Sequence, residues 1–568
     1  MNALHLPLQE VKELSFCSSA KAVKVGAWVN NLQATKITHT SIVLYNAIPE
    51  LNKLKTDFDN RINSLEQVRP TVQNCIQGLT REFLHQPLIL PENAQKVAIV
   101  SQALQKNMLD GYLLCIREIS NLSRFKPETI TSLSKAIHRA ITGIGLFFFR
   151  TYQLYTQIPA GMWHILHGLY QTAEYYELLD RSISDSTLTN NTSSTIRNAY
   201  VRVLMLASCR ANQLNQNDVA HAYAAFAQWA SLVKINSGIS PDKDNFYIAN
   251  LSQDSSPSYK SRFEGTEADT IIELDFKTLL GMLSKQGGQG EEVLGNAHSV
   301  TIPKDFPEAL LSHLLSTWGN VSQRKMGRRD VNISADICVG LVDSHYFLAG
   351  KRKFEEYISG NNNSDDWHSG GGGFTPRDMN QRDNSPADES GRPTWKITIQ
   401  NVSVGGYCLL WQGDIPPRVE AGEIICLREA GRQSWNLGVV RWIKQLKQAS
   451  QLGIQLLSNH PSVCGAAQIF DMGGQSDFMR SLILPPAKHS GAPATLITSN
   501  APFGEMQKAK IFTSDKTLTV RLDRCIFATG SIQQFVYRAL ESSGDEQSSR
   551  SPSRTSGRDE FDSSWDDI

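Results

Sequence analysis

Little in these 568 residues is long, apolar and uninterrupted. The most apolar run, Ile144–Phe149, is closed after six residues by Arg150, whereas a bilayer span needs about twenty. The opening stretch MNALHLPLQEVKEL lacks a basic start followed by a long apolar segment, so no secretory signal is legible. Cysteine is sparse and odd in number: nine thiols, with no CxxC pair, argue against zinc ribbons and against a disulfide framework. Cys338, Cys408 and Cys426 fall in strand-like runs and read as small apolar residues. The expected compartment is a reducing cytoplasm. An excess of charge is missing too. With 56 basic and 56 acidic residues the formal net charge is zero, which excludes bulk electrostatic binding to nucleic acid or to an anionic membrane. Walker, GxSxG and HExxH motifs are absent, and no enzymatic activity is expected.

What is present begins with helices. Residues 1–240 read as an all-α helical bundle or helical-repeat domain. Leu51, Leu54, Phe58, Ile62 and Leu65 recur at spacings of three and four and form one amphipathic face, with a break or kink near Pro70. Further helical segments are expected over 96–122, 128–155, 160–180, 195–212 and 216–234. The pattern in 160–234 resembles tetratricopeptide-like hairpins, and an irregular bundle fits it equally well. Such surfaces commonly bind protein segments, so an unidentified protein partner is expected here.

Residues 241–305 form a mixed connector in which FYIAN and TIIELDF look like strands. A helix is expected over 306–323, followed by QRKMGRRD, where four of the six residues from Arg324 to Arg329 are basic. Val331, Ile333, Ala335, Ile337 and Val339 then alternate with polar residues, as a half-buried strand does. Residues 359–393 hold too few apolar residues to build a core and read as a disordered insertion. Strands resume at Trp395, Ile397 and Ile399, then at 406–411, 423–428, 436–443 and 452–457, which predicts a small antiparallel barrel. Residues 461–540 repeat the style as a second small β module. The tail 541–568 reads as disordered. The fold class is therefore multi-domain α + β.

Two short motifs bracket the insertion: Arg324-Lys-Met-Gly-Arg328, an RxxxR, and Asn401-Val-Ser403-Val-Gly-Gly406, an NxSxxG at a strand turn. In this order, with GVVRW at 438–442 and LGIQLL at 452–457 as closing strands, they resemble the PilZ domain, a bacterial receptor module for cyclic di-GMP. The resemblance covers roughly 323–460. It implies that Arg324 and Arg328 grip guanine and phosphate. Asn401 and Ser403 would supply polar contacts, and Gly406 would allow a tight backbone approach. Arg329 could replace Arg328 in register, and Lys325 would add charge. The chemistry agrees, since arginine pairs bidentately with phosphate and with a guanine edge. The ligand implied is cyclic di-GMP, with no cofactor and no metal, and the implied output is surface attachment or motility control. This sequence departs from the family in placing 72 residues between Arg328 and Asn401. Loop closure cost grows only logarithmically, so the barrel can survive such an insertion.

Other features carry less. Glu308-Ala-Leu310 and GRDEF at 557–561 coincide with phosphodiesterase and cyclase signatures, but neither lies in a suitable domain. His164 and His167 are three apart on a helix and lack a third metal ligand. Phe561 and Trp565 sit among acids and read as a solubilising tail or a short partner-binding segment. The basic knot lacks the interleaved aromatics of a single-strand RNA site. The alternative to a nucleotide-sensing effector is a ligand-free scaffold or chaperone-like adaptor.

Overall fold

The computed structural model describes residues 6–33, 35–185, 187, 193–240, 247–263, 270–286, 300–319, 327–359, 392–413, 415–486, 493–514 and 516–540. Helices α1 (Ala22–Asn30), α2 (Ile37–Lys53), α3 (Phe58–Thr80), α4 (Glu92–Ser120), α5 (Pro127–Gln153), α6 (Met162–Tyr175), α7 (Ile196–Ser208) and α8 (Gln216–Trp229) make the N-terminal part. The face from Leu51 to Leu65, expected as one helix, is divided between α2 and α3. Leu54 is extended and bridges Val11, and Asp57 then caps α3 by accepting the Asn60 N–H at 2.8 Å. An N-cap carboxylate satisfies a donor that a helix start leaves free, so the new helix begins there. Pro70 lies inside α3 instead of marking the break.

Helix α5 packs against α4, α6, α7 and α8. A solenoid repeat touches only its sequence neighbours, so the domain is a bundle around α5. A short hairpin of β1 (Ser182–Ser184) and β2 (Ser193–Thr195) follows α6. Beside it, Arg69 donates two hydrogen bonds to Asp185 at 2.7 and 2.8 Å inside the bundle.

Strands β3 (Lys234–Ser237), β4 (Tyr247–Asn250), β5 (Ser258–Tyr259) and β6 (Ile271–Asp275) form a sheet in the order β3-β6-β4-β5. With α9 (Lys277–Gln286) and α10 (Glu308–Gly319) it shares the apolar core of the bundle: Phe276 stacks on Trp318 at 4.7 Å, and Trp318 packs on Phe226 of α8.

The first barrel is built from β7 (Arg329–Val339), β8 (Trp395–Ser403), β9 (Gly406–Gln412), β10 (Ile424–Glu429), β11 (Asn436–Gln445) and β12 (Ala449–Ser458). It closes in the order β10-β11-β12-β9-β8-β7, all antiparallel. Helices α11 (Leu341–Leu348) and α12 (Phe354–Ser359) follow β7. Alternation on β7 works as expected: Ala335, Ile337 and Val339 are buried in the barrel, with Val331 and Ile333 at its edge. Cys338 points outward yet is also fully buried, because it packs with Cys426, Leu482 and Ile497 against the second barrel. That barrel closes β13 (Ser462–Gln468), β14 (Met479–Leu484), β15 (Thr495–Ser499), β18 (Ile532–Ala539), β17 (Thr517–Ala528) and β16 (Lys508–Phe512) in that order.

The segment Ile415–Glu423, between β9 and β10, joins the three parts. Tyr155, at the end of α5, is buried with Ile415 and Val419 in the core of the first barrel. Its hydroxyl donates to the Leu214 carbonyl at 3.0 Å, and its own carbonyl accepts the Gln445 N–H at 2.9 Å. On the other side, Thr529 Oγ1 donates to the Gly422 carbonyl at 2.8 Å and Ser531 Oγ to the Glu423 carboxylate at 2.9 Å.

Burial, and then the charges of Glu423 and Asp218, push the Glu420 carboxyl up to about 7. Glu423 is held by the Ile424 N–H and Ser531, with Arg418 acting on it, and Asp218 has His221 and Asn215 beside it. A folded-state pKa above the unfolded value gives stability that is full below the ordinary glutamate range and lost as pH rises through about 7. Thermal melts should therefore fall as pH rises from the ordinary glutamate range to about pH 7 and level off above it, and Glu420→Gln should remove most of that fall. A slope unchanged in the variant would mean that Glu420 titrates normally.

Candidate functional site

The NxSxxG stretch is a hairpin. Ser403 ending β8 pairs with Gly406 opening β9, which leaves Val404 and Gly405 as a two-residue turn. Two-residue loops suit an antiparallel hairpin because their twist matches that of the strands. The Ser403 hydroxyl donates to the Gly406 carbonyl at 3.3 Å, and the Gly405 carbonyl accepts the Leu456 N–H at 2.9 Å. Gly406 has φ 151°, and a Cβ there would stand 1.9 Å from the Ile454 carbonyl oxygen of β12. The glycine is therefore required by a close backbone crossing.

The basic segment arrives beside this hairpin because β7 pairs with β8. Arg329 stands opposite Val402 and Asp330 opposite Asn401. Arg324 and Lys325 lie outside the described residues; Arg328 and Arg329 are described and exposed. Asn401 stands opposite Cys408 of β9. Burial pushes the Cys408 thiol up, while the Arg328 charge and a hydrogen bond with Asn401 pull it part of the way back. Asn401 and Cys408 stand side by side on the outer face of the barrel, and the thiol feels the charge of Arg328. Arg328, Asn401 and Ser403 are gathered at one corner, and Gly406 shapes the corner from below.

The same row continues across the barrel. Cys408 pairs with Gly453 of β12, and Gly453 with Trp442 of β11. A Cβ at Gly453 would fall 1.9 Å from Trp442 Nε1, so the indole lies over the glycine. Trp442 keeps part of its surface in solvent. Between Trp442 and Asn401 the floor is only Gly453 and Cys408, three strand spacings or about 14 Å wide. Trp442 is a site candidate that the motifs did not single out. Its signal was the break in alternation at Val440-Arg441-Trp442-Ile443, where two consecutive residues leave the core. The register shift between Val440 and Trp442 is the bulge that this break encodes.

The secondary candidates resolve differently. His167 binds the Tyr200 hydroxyl at 2.7 Å through Nδ1 and the Ser255 carbonyl at 3.1 Å through Nε2, so both ring nitrogens are engaged. His164 is exposed, and no metal-binding group occurs among the described residues. Glu308 is the first residue of α10. Residues 557–561, Phe561 and Trp565 lie outside the described residues. Among the described residues no helix is long and apolar enough to cross a membrane.

Three family models match consecutive parts of the chain. The N-terminal domain of cyclic-di-GMP receptor FimW matches residues 23–242, its middle PilZ domain 246–370 and 374–462, and its C-terminal beta-barrel domain 464–540. A curated relative, the cyclic-di-GMP receptor FimW of Pseudomonas aeruginosa, is 29% identical over 605 aligned residues, covering 99% of this chain and 98% of the relative. No solved structure matches the chain.

The hairpin makes its own prediction. Gly406→Ala sets a methyl against an immobile carbonyl and should cost about 2–4 kcal/mol in urea denaturation. Gly405→Ala meets nothing within 4 Å and should change stability by less than about 0.5 kcal/mol. Equal effects at the two positions would remove the close-approach argument.

Proposed function

With the chain a member of the PilZ-domain cyclic-di-GMP receptor family, we propose that it binds cyclic di-GMP on the outer face of the first barrel and relays the bound state to a protein partner of the helical bundle. The family is one of receptors rather than enzymes. The observation that carries the binding reading is the β7–β8 register, which sets Arg329 opposite Val402 and Asp330 opposite Asn401 and so brings the basic segment beside the Ser403 hairpin.

Cyclic di-GMP offers two phosphates and two guanines. Arg328, with Arg324 from the preceding segment, takes a phosphate or the O6/N7 edge of a guanine through its fork of donors. Asn401 and Ser403 contribute hydrogen bonds at the corner. Arg329 adds charge at the start of β7. Trp442 supplies a stacking face at the far end of the row, since every purine has a π-surface that an indole can cover. The small residues between them, Gly453 and Cys408, leave room for a flat ligand.

The relay runs through contacts already described. Tyr155 ties α5 to the barrel core, and the segment Ile415–Glu423 ties that core to the second barrel. A ligand biases the bundle only where its affinity differs between two arrangements of these contacts. For the partner, Ile42 and Tyr45, one turn apart on α2, are 54% and 40% exposed and give the bundle an apolar surface. Surface attachment or motility control is the proposed output, as the resemblance implies.

Isothermal titration of the full chain with cyclic di-GMP tests the binding reading. Arg324→Ala combined with Arg328→Ala should weaken binding at least tenfold, from about 1–3 kcal/mol per lost bidentate contact. Affinity should fall as salt rises, because the ligand is a dianion. Unchanged binding in the double variant would remove the site from this corner. Trp442→Leu still covers Gly453 but cannot stack, so it should keep the wild-type melting temperature and bind roughly 5- to 100-fold more weakly. Wild-type affinity in that variant would make Trp442 a cover for the glycine and nothing more.

A further inference from the structure

Three exposed apolar side chains lie at one end of the second barrel. Phe470 is 45% exposed, Met506 60% exposed and Met472 fully exposed. Phe470 and Met472 stand on the tight turn that leaves β13: the Phe470 N–H donates to the Gly474 carbonyl at 3.1 Å, and the Gly473 N–H to the Phe470 carbonyl at 3.0 Å. Met506 precedes β16 with a left-handed backbone, φ 62°. The two segments adjoin, because the Ile469 N–H donates to the Lys508 carbonyl at 3.0 Å and Gln468 Nε2 to Gln507 Oε1 at 3.2 Å. Single exposed apolar residues are ordinary, whereas a cluster on adjoining loops marks a contact site.

A basic row leads up to this cluster. Register places Lys508 of β16 opposite Arg521 of β17, and Arg521 opposite Arg538 of β18. Directly opposed residues share a face, and the neighbours Ala509, Val520 and Leu522 fill the barrel core. The three cations therefore stand together on the outer face, across two strand spacings or about 10 Å. Lys510, two residues beyond Lys508 on the same side of β16, adds a fourth. Asp523 is shared between two of them: Arg521 Nε donates to it at 2.9 Å and Arg538 Nε at 3.1 Å. Lys508 and Lys510 form no ion pair among the described residues. The apolar loops carry the acids Asp471 and Glu505, and Glu505 accepts the Cys525 N–H at 2.8 Å.

The chain that leaves this barrel has the complementary chemistry. Strand β18 ends at Ala539, one residue past Arg538, and the Leu540 N–H donates to the Thr519 carbonyl of β17 at 2.8 Å. The described residues end with Leu540. Further on, residues 559–568, DEFDSSWDDI, hold five carboxylates, no basic residue and two aromatic rings four apart, Phe561 and Trp565. The eighteen residues between, 541–558, can reach up to about 60 Å, several times the width of the basic row. A tethered segment meets a surface within its reach at an effective concentration in the millimolar range, so even a weak match is occupied.

We propose that residues 559–568 dock on their own second barrel, with Phe561 and Trp565 against Phe470, Met472 and Met506 and the carboxylates along Lys508, Arg521 and Arg538. Rings four apart fall on one side of a helical turn, and unbranched methionine side chains adapt to an aromatic face. Asp471 in the turn keeps the carboxylates of the segment on the side of the basic row. The docked segment is a latch: while it is seated, this face is closed to any partner of the same acidic and aromatic chemistry. The latch does not depend on the Arg324–Arg328 corner.

The test is fluorescence anisotropy of a labelled synthetic DEFDSSWDDI peptide added to the full chain and to its Phe561→Ala/Trp565→Ala variant. The variant should bind the peptide, and the wild type at least tenfold more weakly, because its own segment holds the face. Adding Met472→Ser and Met506→Asn to the variant should weaken peptide binding at least tenfold, and so should adding Lys508→Glu and Arg538→Glu. These side chains are exposed, and asparagine tolerates the left-handed backbone. Binding should also weaken as salt rises. Hydrogen exchange at the amides of residues 471–474, which needs no change in the barrel, should be slower in the wild type than in Phe561→Ala/Trp565→Ala. Equal exchange in the two, equal peptide affinity in the two, or a variant that binds no peptide would each overturn the proposal. A wild type that is dimeric where the variant is monomeric would overturn it too, by assigning the face to the segment of a second copy.

Discussion

Strand β7 is hydrogen-bonded on both edges, to β8 and to β10, and the first barrel is closed by that double pairing. The site depends on it. Register with β8 sets Asp330 opposite Asn401, so the residues just before β7 emerge over the asparagine–serine hairpin and nowhere else. The chain between β7 and β8 can therefore be long without moving the site. A one-residue slip would turn Ala335, Ile337 and Val339 out of the core. The cost of that slip is what holds Arg328 in place from a distance of many residues.

Closure also explains why small residues matter on the outer face. A barrel of six strands bends each strand strongly, and bulges absorb the bend. Register shifts occur between Asp330 and Ile333, between Ile399 and Asn401, and between Val440 and Trp442. Each borders the row that runs from Arg328 to Trp442. Bulges re-aim side chains, and here they deliver an amide and an indole to one side of the sheet, with Cys408 and Gly453 between them. Gly406 lets β9 pass under Ile454 at the row's edge. The geometry of the site is thus a by-product of curvature that the core already requires.

Much of this was legible before any coordinates. Period-two alternation marks β7 through β12 because one face of each strand is buried in a single barrel core, and the helical periods of the first 230 residues survive as α2 to α8. The two motifs give Asn401, Ser403, Gly406 and Arg328 by residue type and order. What stayed hidden was whatever depends on contacts between distant segments. No local pattern makes α5 the centre of the bundle, and none gives the four-stranded sheet a share of the bundle core. The break between α2 and α3 was missed because periodicity runs on through Leu54 to Phe58, whereas the capping carboxylate of Asp57 decides the boundary. Trp442 was visible only as an irregularity in a strand.

A chain with equal numbers of positive and negative residues exerts little long-range pull on an anion, so capture has to be local. Partnering then sorts its arginines. Arg69 and Arg139 are buried against Asp185 and Glu66, and Arg197 and Arg428 each hold a carboxylate at the surface. These serve the fold, because their charge is already neutralised. Arg328 and Arg329 at the barrel corner are exposed and form no ion pair among the described residues. Folding gains little from gathering like charges at one corner, because they repel one another. A ligand that brings its own negative charge is what the proposed function would set beside them. On that reading an anion at the corner bears on β7, whose pairing with both β8 and β10 closes the barrel.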